Sequence, residues 1–209
     1  PYATGVLCIL LGTPPEDWRK IADWALIMGL ALGVTYKRDM DKINQATDEM
    51  IAYCADLVAK KTNLTDDFLS QLIQQRKEDP TFTDEELLNL MVGLVFGGID
   101  TTRNQLGLGL DLFMRHPDQW EMLAADPSLA RNAVEEVMRC RPTTTWVTRE
   151  ALEHFEFEGL QIAQGTTVHL LTAPAGSDPR VIDNAGFDIM AKRPLHFGFR
   201  SEERRVGKE

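Results

Sequence analysis

The sequence predicts a mainly α-helical protein with a small β region late in the chain. Three observations lead there. Apolar residues recur at helical spacing in successive segments from Trp18 to Cys140. Helix start signals, acidic residues or a Ser/Thr/Asp cap, stand ahead of most of these segments. After Arg141-Pro142 the composition changes to short β-branched and aromatic runs punctuated by Gly159 and Gly165.

Taking the elements in order, Gly5–Leu11 is a short apolar run closed by Gly12 and Pro14-Pro15. Glu16 and Asp17 then occupy the first turn of a helix expected to reach Leu32, where acids suit the positive end of the helix dipole. From Met40 to Lys61, Ile43, Met50, Ile51, Cys54, Leu57 and Val58 define one apolar face opposite an acidic one. Thr65-Asp66-Asp67 starts the next helix, with Phe68, Leu69, Leu72 and Ile73 on one side. Thr83 followed by Glu86 is a capping box for a long spine, Leu87–Phe113. His116-Pro117 stops the spine, a short helix covers Pro117–Ala124, and another runs Pro127–Cys140 with Leu129, Ala133, Val134, Val137 and Met138 inward. Trp146–Val147, Phe155–Ile162 and Thr166–Leu171 read as short strands, and Phe187–Phe199 has no clean period.

Bulk properties bound the function. With 209 residues, 44% hydrophobic and 26% charged, the chain has the composition of an ordinary soluble globular protein of one domain or two. A formal charge of −10 argues against a nucleic-acid surface. Cys8, Cys54 and Cys140 are odd in number, far apart and without a C-x-x-C pair, which indicates neither a disulfide framework nor a zinc site and fits a reducing cytoplasm. His116, His154, His169 and His196 lack metal-ligand spacing and are expected as surface or satisfied core residues. The opening residues contain no charged leader, cleavage site or initiator methionine, so the N-terminus is expected to be a cut end.

The spine carries the chemistry. Leu90–Ile99 is almost wholly apolar, but Asn89, Asp100 and Arg103 interrupt it well short of the ~18 residues a membrane span requires. Gly97 and Gly98 strip side chains from one turn and let another body approach the backbone. A hydroxyl on Thr101 or Thr102 can bond the carbonyl one turn back and bend the helix. Asp100, expected in an apolar surround that disfavours its ionised form, would then suit passing protons. Taken alone, the stretch is equally a core helix with a packing glycine pair. Glu136 and Arg139, three apart on the late helix, are likewise compatible with a surface pair.

Together these residues are more specific. Gly97–Thr102 (GGIDTT), Glu136–Arg139 (EVMR), Arg149, Asp178-Pro179, Phe187–Arg193 (FDIMAKR) and His196–Phe199 (HFGF), in that order, resemble the cytochrome P450 family of heme-thiolate monooxygenases, bacterial soluble type. The resemblance implies a partial P450 fold over 1–199. It implies that Gly97 and Gly98 line an oxygen-binding groove and that Asp100 and Thr101 are the catalytic acid and alcohol delivering protons there. It implies that Glu136 and Arg139 form a buried structural ion pair joined by Arg193, and that Arg149 binds the cofactor by pairing with a heme propionate. The implied cofactor is heme, with electrons from NAD(P)H through a ferredoxin- or flavodoxin-type donor. The implied substrate is an apolar small molecule, and the implied state is a cytoplasmic monomer with no membrane attachment.

One departure is abrupt. The family pattern F-G-x-G-x-[HR]-x-C places the metal-binding cysteine at position 204, where this chain has Arg204. Residues 200–209 (RSEERRVGKE) match nothing in the pattern and resemble the translation of a sequencing adapter, a non-native tail. The expectation is a fragment truncated at both ends, inactive as written because no cysteine ligates the metal. Two alternatives stay open: a non-catalytic ligand-binding or scaffold protein of the same fold, and an isomerase or peroxygenase using the same pocket.

Overall fold

The computed structural model describes residues 1–194 and 196–198. Phe199, Arg204 and the expected tail at 200–209 lie outside the described residues. The chain divides into two compact units, 1–103 and 104–209, and the division falls within the long helix.

In the first unit, α1 (Tyr2–Leu11) forms where the sequence shows only an apolar run. It ends on Gly12, whose φ of 63° is left-handed, with the Thr13 amide bonded to the Cys8 carbonyl at 2.9 Å and the Gly12 amide to that of Ile9 at 3.2 Å. This is the glycine-terminated stop that only a residue without Cβ adopts cheaply. A 3-10 turn at Pro15–Asp17 leads into α2 (Trp18–Gly29), and a second at Leu30–Leu32 completes the expected run to Leu32. The helix α3 (Met40–Lys60) packs on α2, tied by Trp24 Nε1 donating to Glu49 at 2.7 Å and Tyr53 Oη donating to Asp17 at 2.7 Å.

The helix α4 (Phe68–Glu78) is capped by Asp67, which accepts the Ser70 amide at 2.9 Å. Hydrogen bonds from Lys61 first, then Thr65 and Ser70, hold its carboxyl well below the usual carboxylate range. The helix α5 (Asp84–Arg115) begins with the predicted capping box: Thr83 Oγ1 accepts the Glu86 amide at 3.2 Å, and Glu86 accepts the Thr83 amide at 2.8 Å. Leu87, Met91, Val95 and Ile99 put its inner face into one core with Leu7, Leu11, Ile21, Met50 and Leu69. Among the described residues no helix is long and apolar enough to cross a membrane.

In the second unit, α6 (Pro117–Ala125) and α7 (Ala130–Cys140) follow α5, with Pro117 at the start of α6, where its missing N–H costs nothing. Gln105 of α5 bonds the loop after α7 three ways: Nε2 donates to the Arg141 carbonyl at 2.8 Å, and Oε1 accepts from the Thr143 amide at 2.8 Å and hydroxyl at 2.9 Å. The strands form two separate antiparallel pairs. β1 (Trp146–Glu150) pairs with β4 (Thr167–Leu171), and β2 (Phe155–Phe157) pairs with β3 (Leu160–Ile162). β1 extends beyond the expected Trp146–Val147 because β4 supplies partners as far as Thr167. The expected Phe155–Ile162 strand is a hairpin, folded at Glu158 and Gly159 with φ of 49° and 80°, the two left-handed positions of a type I′ turn. A short α8 (Thr172–Ala175), bonded through Thr172 to the Thr144 and Thr145 carbonyls, has no sequence signal of its own.

The two spine glycines behave differently. A Cβ on Gly98 would meet Leu7 Cδ1 at 2.8 Å, whereas one on Gly97 meets nothing within 4 Å. Urea denaturation should therefore show Gly98→Val losing about 1–3 kcal/mol to overpacking. Gly97→Ala should be neutral or gain up to about 1 kcal/mol of helix propensity. Equal effects would mean that α1 does not fill the Gly98 site.

Candidate functional site

Two constellations emerge, one in each unit. On α5, the Thr101 hydroxyl donates to the Gly97 carbonyl at 2.5 Å, the one-turn-back bond expected of it. The stretch around Gly97 is open, while the space beside Gly98 is taken by Leu7, so Gly98 is a packing glycine in this unit. Asp100 does not sit in an apolar surround as expected. Its carboxylate lies 2.6 Å from Arg103 Nη2, one turn on, with the side chain 29% exposed. The physical reason is plain in the sequence: D-T-T-R puts a cation at i+3, on the adjacent helix position.

On α7, the sequence folds locally for two reasons. Asp126 caps the preceding turn by accepting the Ser128 amide at 3.0 Å, and Ala133, Glu136, Val137, Met138 and Arg139 form the buried face. Glu136 and Arg139 are each 2% exposed. They meet as a bidentate pair: Arg139 Nε donates to Glu136 Oε2 at 2.8 Å and Nη2 to Oε1 at 2.7 Å. The remaining guanidinium protons reach the Gly176 carbonyl at 2.7 Å and the Ala185 and Gly186 carbonyls at 3.0 Å each. Glu136 Oε1 also accepts the Asp188 amide at 3.1 Å and faces Arg193 Nη2 at 3.4 Å. Among the described residues Arg193 Nε is buried without an acceptor, though Nη2 of the same side chain donates to Gly186 at 3.0 Å.

Burial pushes the Glu136 carboxyl up, but hydrogen bonds from Arg139 and the Asp188 amide, with the charges of Arg139 and Arg193, outweigh it and leave the group below its ordinary value. Arg139 is raised, first by its hydrogen bond to Glu136, against desolvation.

Further residues extend this network. Asn132 Nδ2 donates to the Ile189 and Ala191 carbonyls, and Gln119 Oε1 accepts the Ile189 amide at 3.0 Å. The irregular stretch from Ala185 to Ala191 thus has its backbone groups satisfied by side chains of α6 and α7. His196, 7% exposed, accepts the Gly198 amide at Nδ1 at 2.9 Å, so its proton sits on Nε2 and is donated to Glu135 at 2.9 Å. None of Asn132, Gln119 or Glu135 stands out in the sequence, because amides and acids on helices are usually solvated; the available signal is register, with Asn132 four residues before Glu136 and Glu135 four before Arg139, and Gln119 on α6 has none.

Arg149 stands exposed on β1, opposite Val168 of β4, and its Nη1 donates to the Thr148 carbonyl at 3.0 Å. Gly97, Asp100 and Thr101 come together on one helix, and Glu136, Arg139 and Arg193 come together around α7.

The fold is a mainly helical scaffold in which a long helix carries an acid and an alcohol and a late helix carries a buried ion pair. The family model described as "Cytochrome P450" matches residues 9–186, and the chain belongs to the cytochrome P450 family. It is 36% identical over 196 residues to luteothin monooxygenase of Streptomyces thioluteus, covering 92% of this chain and 48% of that one. It is 30% identical over 202 residues to 6-deoxyerythronolide B hydroxylase of Saccharopolyspora erythraea, covering 95% and 49%. The crystal structure of P450BioI in complex with hexadec-9Z-enoic acid ligated acyl carrier protein superimposes with a TM-score of 0.86 at 28% identity, covering 95% of this chain and 52% of that one. The chain spans about half the length of the curated relatives it matches.

The family implies heme held by a cysteine thiolate, and the described cysteines do not fit that role. A ligating thiol must be deprotonated, yet burial pushes both Cys54 and Cys140 up to about 11. Cys8 is buried in the first unit's core, 4% exposed. Among the described residues no cluster of His, Cys, Asp or Glu is arranged to hold a metal ion.

Removing one partner of a buried pair leaves an uncompensated charge. Arg139→Leu is expected to cost about 3–5 kcal/mol in chemical denaturation, and Arg103→Leu, at an exposed pair on the surface of α5, less than about 1 kcal/mol. Because the Glu136 carboxyl is lowered on folding, its stabilisation is present above the unfolded carboxyl value of about 4.3 and is lost as pH falls through the lower folded value. Denaturation midpoints measured from pH 6 down to 2 should therefore fall more steeply for the wild type than for Glu136→Gln; parallel curves would contradict the assignment.

Proposed function

We infer that the whole protein is a heme-dependent monooxygenase that inserts one atom of dioxygen into an apolar organic substrate. Heme supplies the iron chemistry when bound, and electrons from NAD(P)H arrive through a ferredoxin- or flavodoxin-type donor. The observation that carries this reading is the α5 stretch, where an acid and an alcohol lie beside an open glycine turn. A shielded oxidation needs protons delivered in small numbers while bulk water is kept out, and Asp100 with Thr101 is the pair on this chain suited to it.

Each residue has a stated part. Gly97 leaves room for a small ligand against the backbone; Gly98, filled by Leu7, supports that turn from behind. Thr101 holds its proton toward the Gly97 carbonyl and can turn it outward, while Asp100 exchanges protons with solvent. Arg149 presents a planar guanidinium of the kind that pairs with a propionate carboxylate. An apolar substrate is supported by the fatty-acyl ligand named in the P450BioI structure, and oxygen insertion by the monooxygenase name of the Streptomyces thioluteus relative. The chain as written, with Arg204 at the ligand position of the family pattern, is read as unable to hold heme as a thiolate complex.

The test has two arms. The chain expressed with heme, reduced and exposed to carbon monoxide, should give no thiolate-type difference band; such a band would mean another cysteine serves as ligand. Residues 9–186 exchanged into luteothin monooxygenase of Streptomyces thioluteus should give that band together with dioxygen-dependent substrate oxidation. In this chimera Asp100→Asn should slow turnover on the order of 10²-fold, the usual contribution of a positioned acid. A chimera that binds heme and is indifferent to both Asp100→Asn and Thr101→Ala would refute the proton-path reading.

A further inference from the structure

We propose that Gln105 is a positioning residue whose side-chain amide fixes where β1, and with it the Arg149 guanidinium, stands against the second half of α5. The part given to Arg149 rests on the functional reading above. Residues 141–145, between α7 and β1, have no regular structure, and the buried Pro142 in their midst brings no amide proton. Gln105 Nε2 donates to the Arg141 carbonyl at 2.8 Å, and Oε1 accepts the Thr143 amide at 2.8 Å and its hydroxyl at 2.9 Å. One planar amide thus serves the carbonyl before Pro142 and the amide after it, as a residue of a neighbouring parallel strand would. Only a side chain carrying both a donor and an acceptor can do this, and the backbone partners dictate which end of the amide faces which.

The β1–β4 pair is closed upon itself at both ends. At one end Thr172 Oγ1 donates to the Thr144 carbonyl at 2.6 Å, and the Thr172 and Ala173 amides donate to that of Thr145 at 3.0 and 3.2 Å. At the other, the Ala151 amide donates to the Thr166 carbonyl at 2.9 Å and the Gly165 amide to that of Ala151 at 2.8 Å. These bonds fix β1 against β4 but leave the direction of the pair against the helices to other contacts. Both strands are largely exposed, so burial of an apolar face does little to hold them. The ion pair of Arg141 with Asp111 of α5, 3.5 Å long between side chains 44% and 38% exposed, is weak and sets no direction. Gln105 supplies the directional tie, with three hydrogen bonds from one helix position.

Amide hydrogen exchange and residual dipolar couplings, measured by NMR on the chain itself, test this. Gln105→Leu should speed exchange of the Thr143 amide about tenfold, the loss of one to two net hydrogen bonds. It should also change the couplings of the β1 amides while those of α6 and α7 keep their wild-type values; a general loosening would move all three. Gln105→Glu keeps the accepting oxygens and should return Thr143 to its wild-type protection. Should the leucine variant fail to fold, Gln105→Asn, too short to span both partners, gives the same comparison. An unchanged Thr143 rate, or unchanged β1 couplings, overturns the proposal whatever the chimera does. In the chimera, Gln105→Leu and Arg149→Leu should each slow turnover, with a combined effect smaller than the product of the two. Multiplying effects would separate Gln105 from Arg149 and overturn the link between them. If Gln105→Leu redirects β1 but Arg149→Leu leaves turnover unchanged, the tie stands and the part read for Arg149 has failed.

Discussion

The second unit depends on one interaction, the bidentate ion pair between Glu136 and Arg139. Two charges removed from water are favourable only if their remaining hydrogen-bonding capacity is met. Here three carbonyls, at Gly176, Ala185 and Gly186, and the Asp188 amide meet it. The groups that satisfy the pair are the backbone of segments with no regular structure of their own. The pair and these segments thus stabilise each other: without Arg139 the carbonyls would be buried without donors, and without the carbonyls the guanidinium would be under-coordinated. Asn132 and Gln119 repeat the same device from α7 and α6, bonding the Ala191 carbonyl and the Ile189 amide.

Close approach is the second constraint, and it accounts for particular glycines. A Cβ on Gly176 would lie 2.7 Å from the Arg139 carbonyl, and one on Gly198 would lie 2.9 Å from that of Met138. Both glycines let a loop pass against the end of α7, where backbone oxygens leave no room for a side chain. Gly98 plays the equivalent part in the first unit, with a leucine side chain as the neighbour. Gly97, one residue earlier, leaves space open, and the candidate chemistry sits on that side of the helix.

Most of the helical architecture was legible because its signals are local: apolar period, capping box, proline and glycine stops. The ends of β1 were not, because a strand's length depends on its partner, and β4 is about 20 residues away in sequence by the observed register. Nor was α1 assignable as a helix, since an apolar run of that length has no period to separate helix from strand. The ion pair was legible only in company: E-x-x-R alone reads as a surface pair, and its burial follows from segments some 40–50 residues further on. The environment of Asp100 departs from the apolar surround its sequence neighbours suggest, because Ile99 turns into the core while Arg103 shares the side of Asp100.

Whether the buried pair on α7 organises the irregular segments around it is read most directly from amide hydrogen exchange at Asp188. That amide belongs to no helix or strand, and its acceptor is Glu136 Oε1 at 3.1 Å. Protection comparable to that of the α7 amides around Val137 is expected, lost in Glu136→Gln while the amides of α5 keep theirs. Exchange of the Asp188 amide at the rate of an exposed loop in the wild-type protein would contradict it.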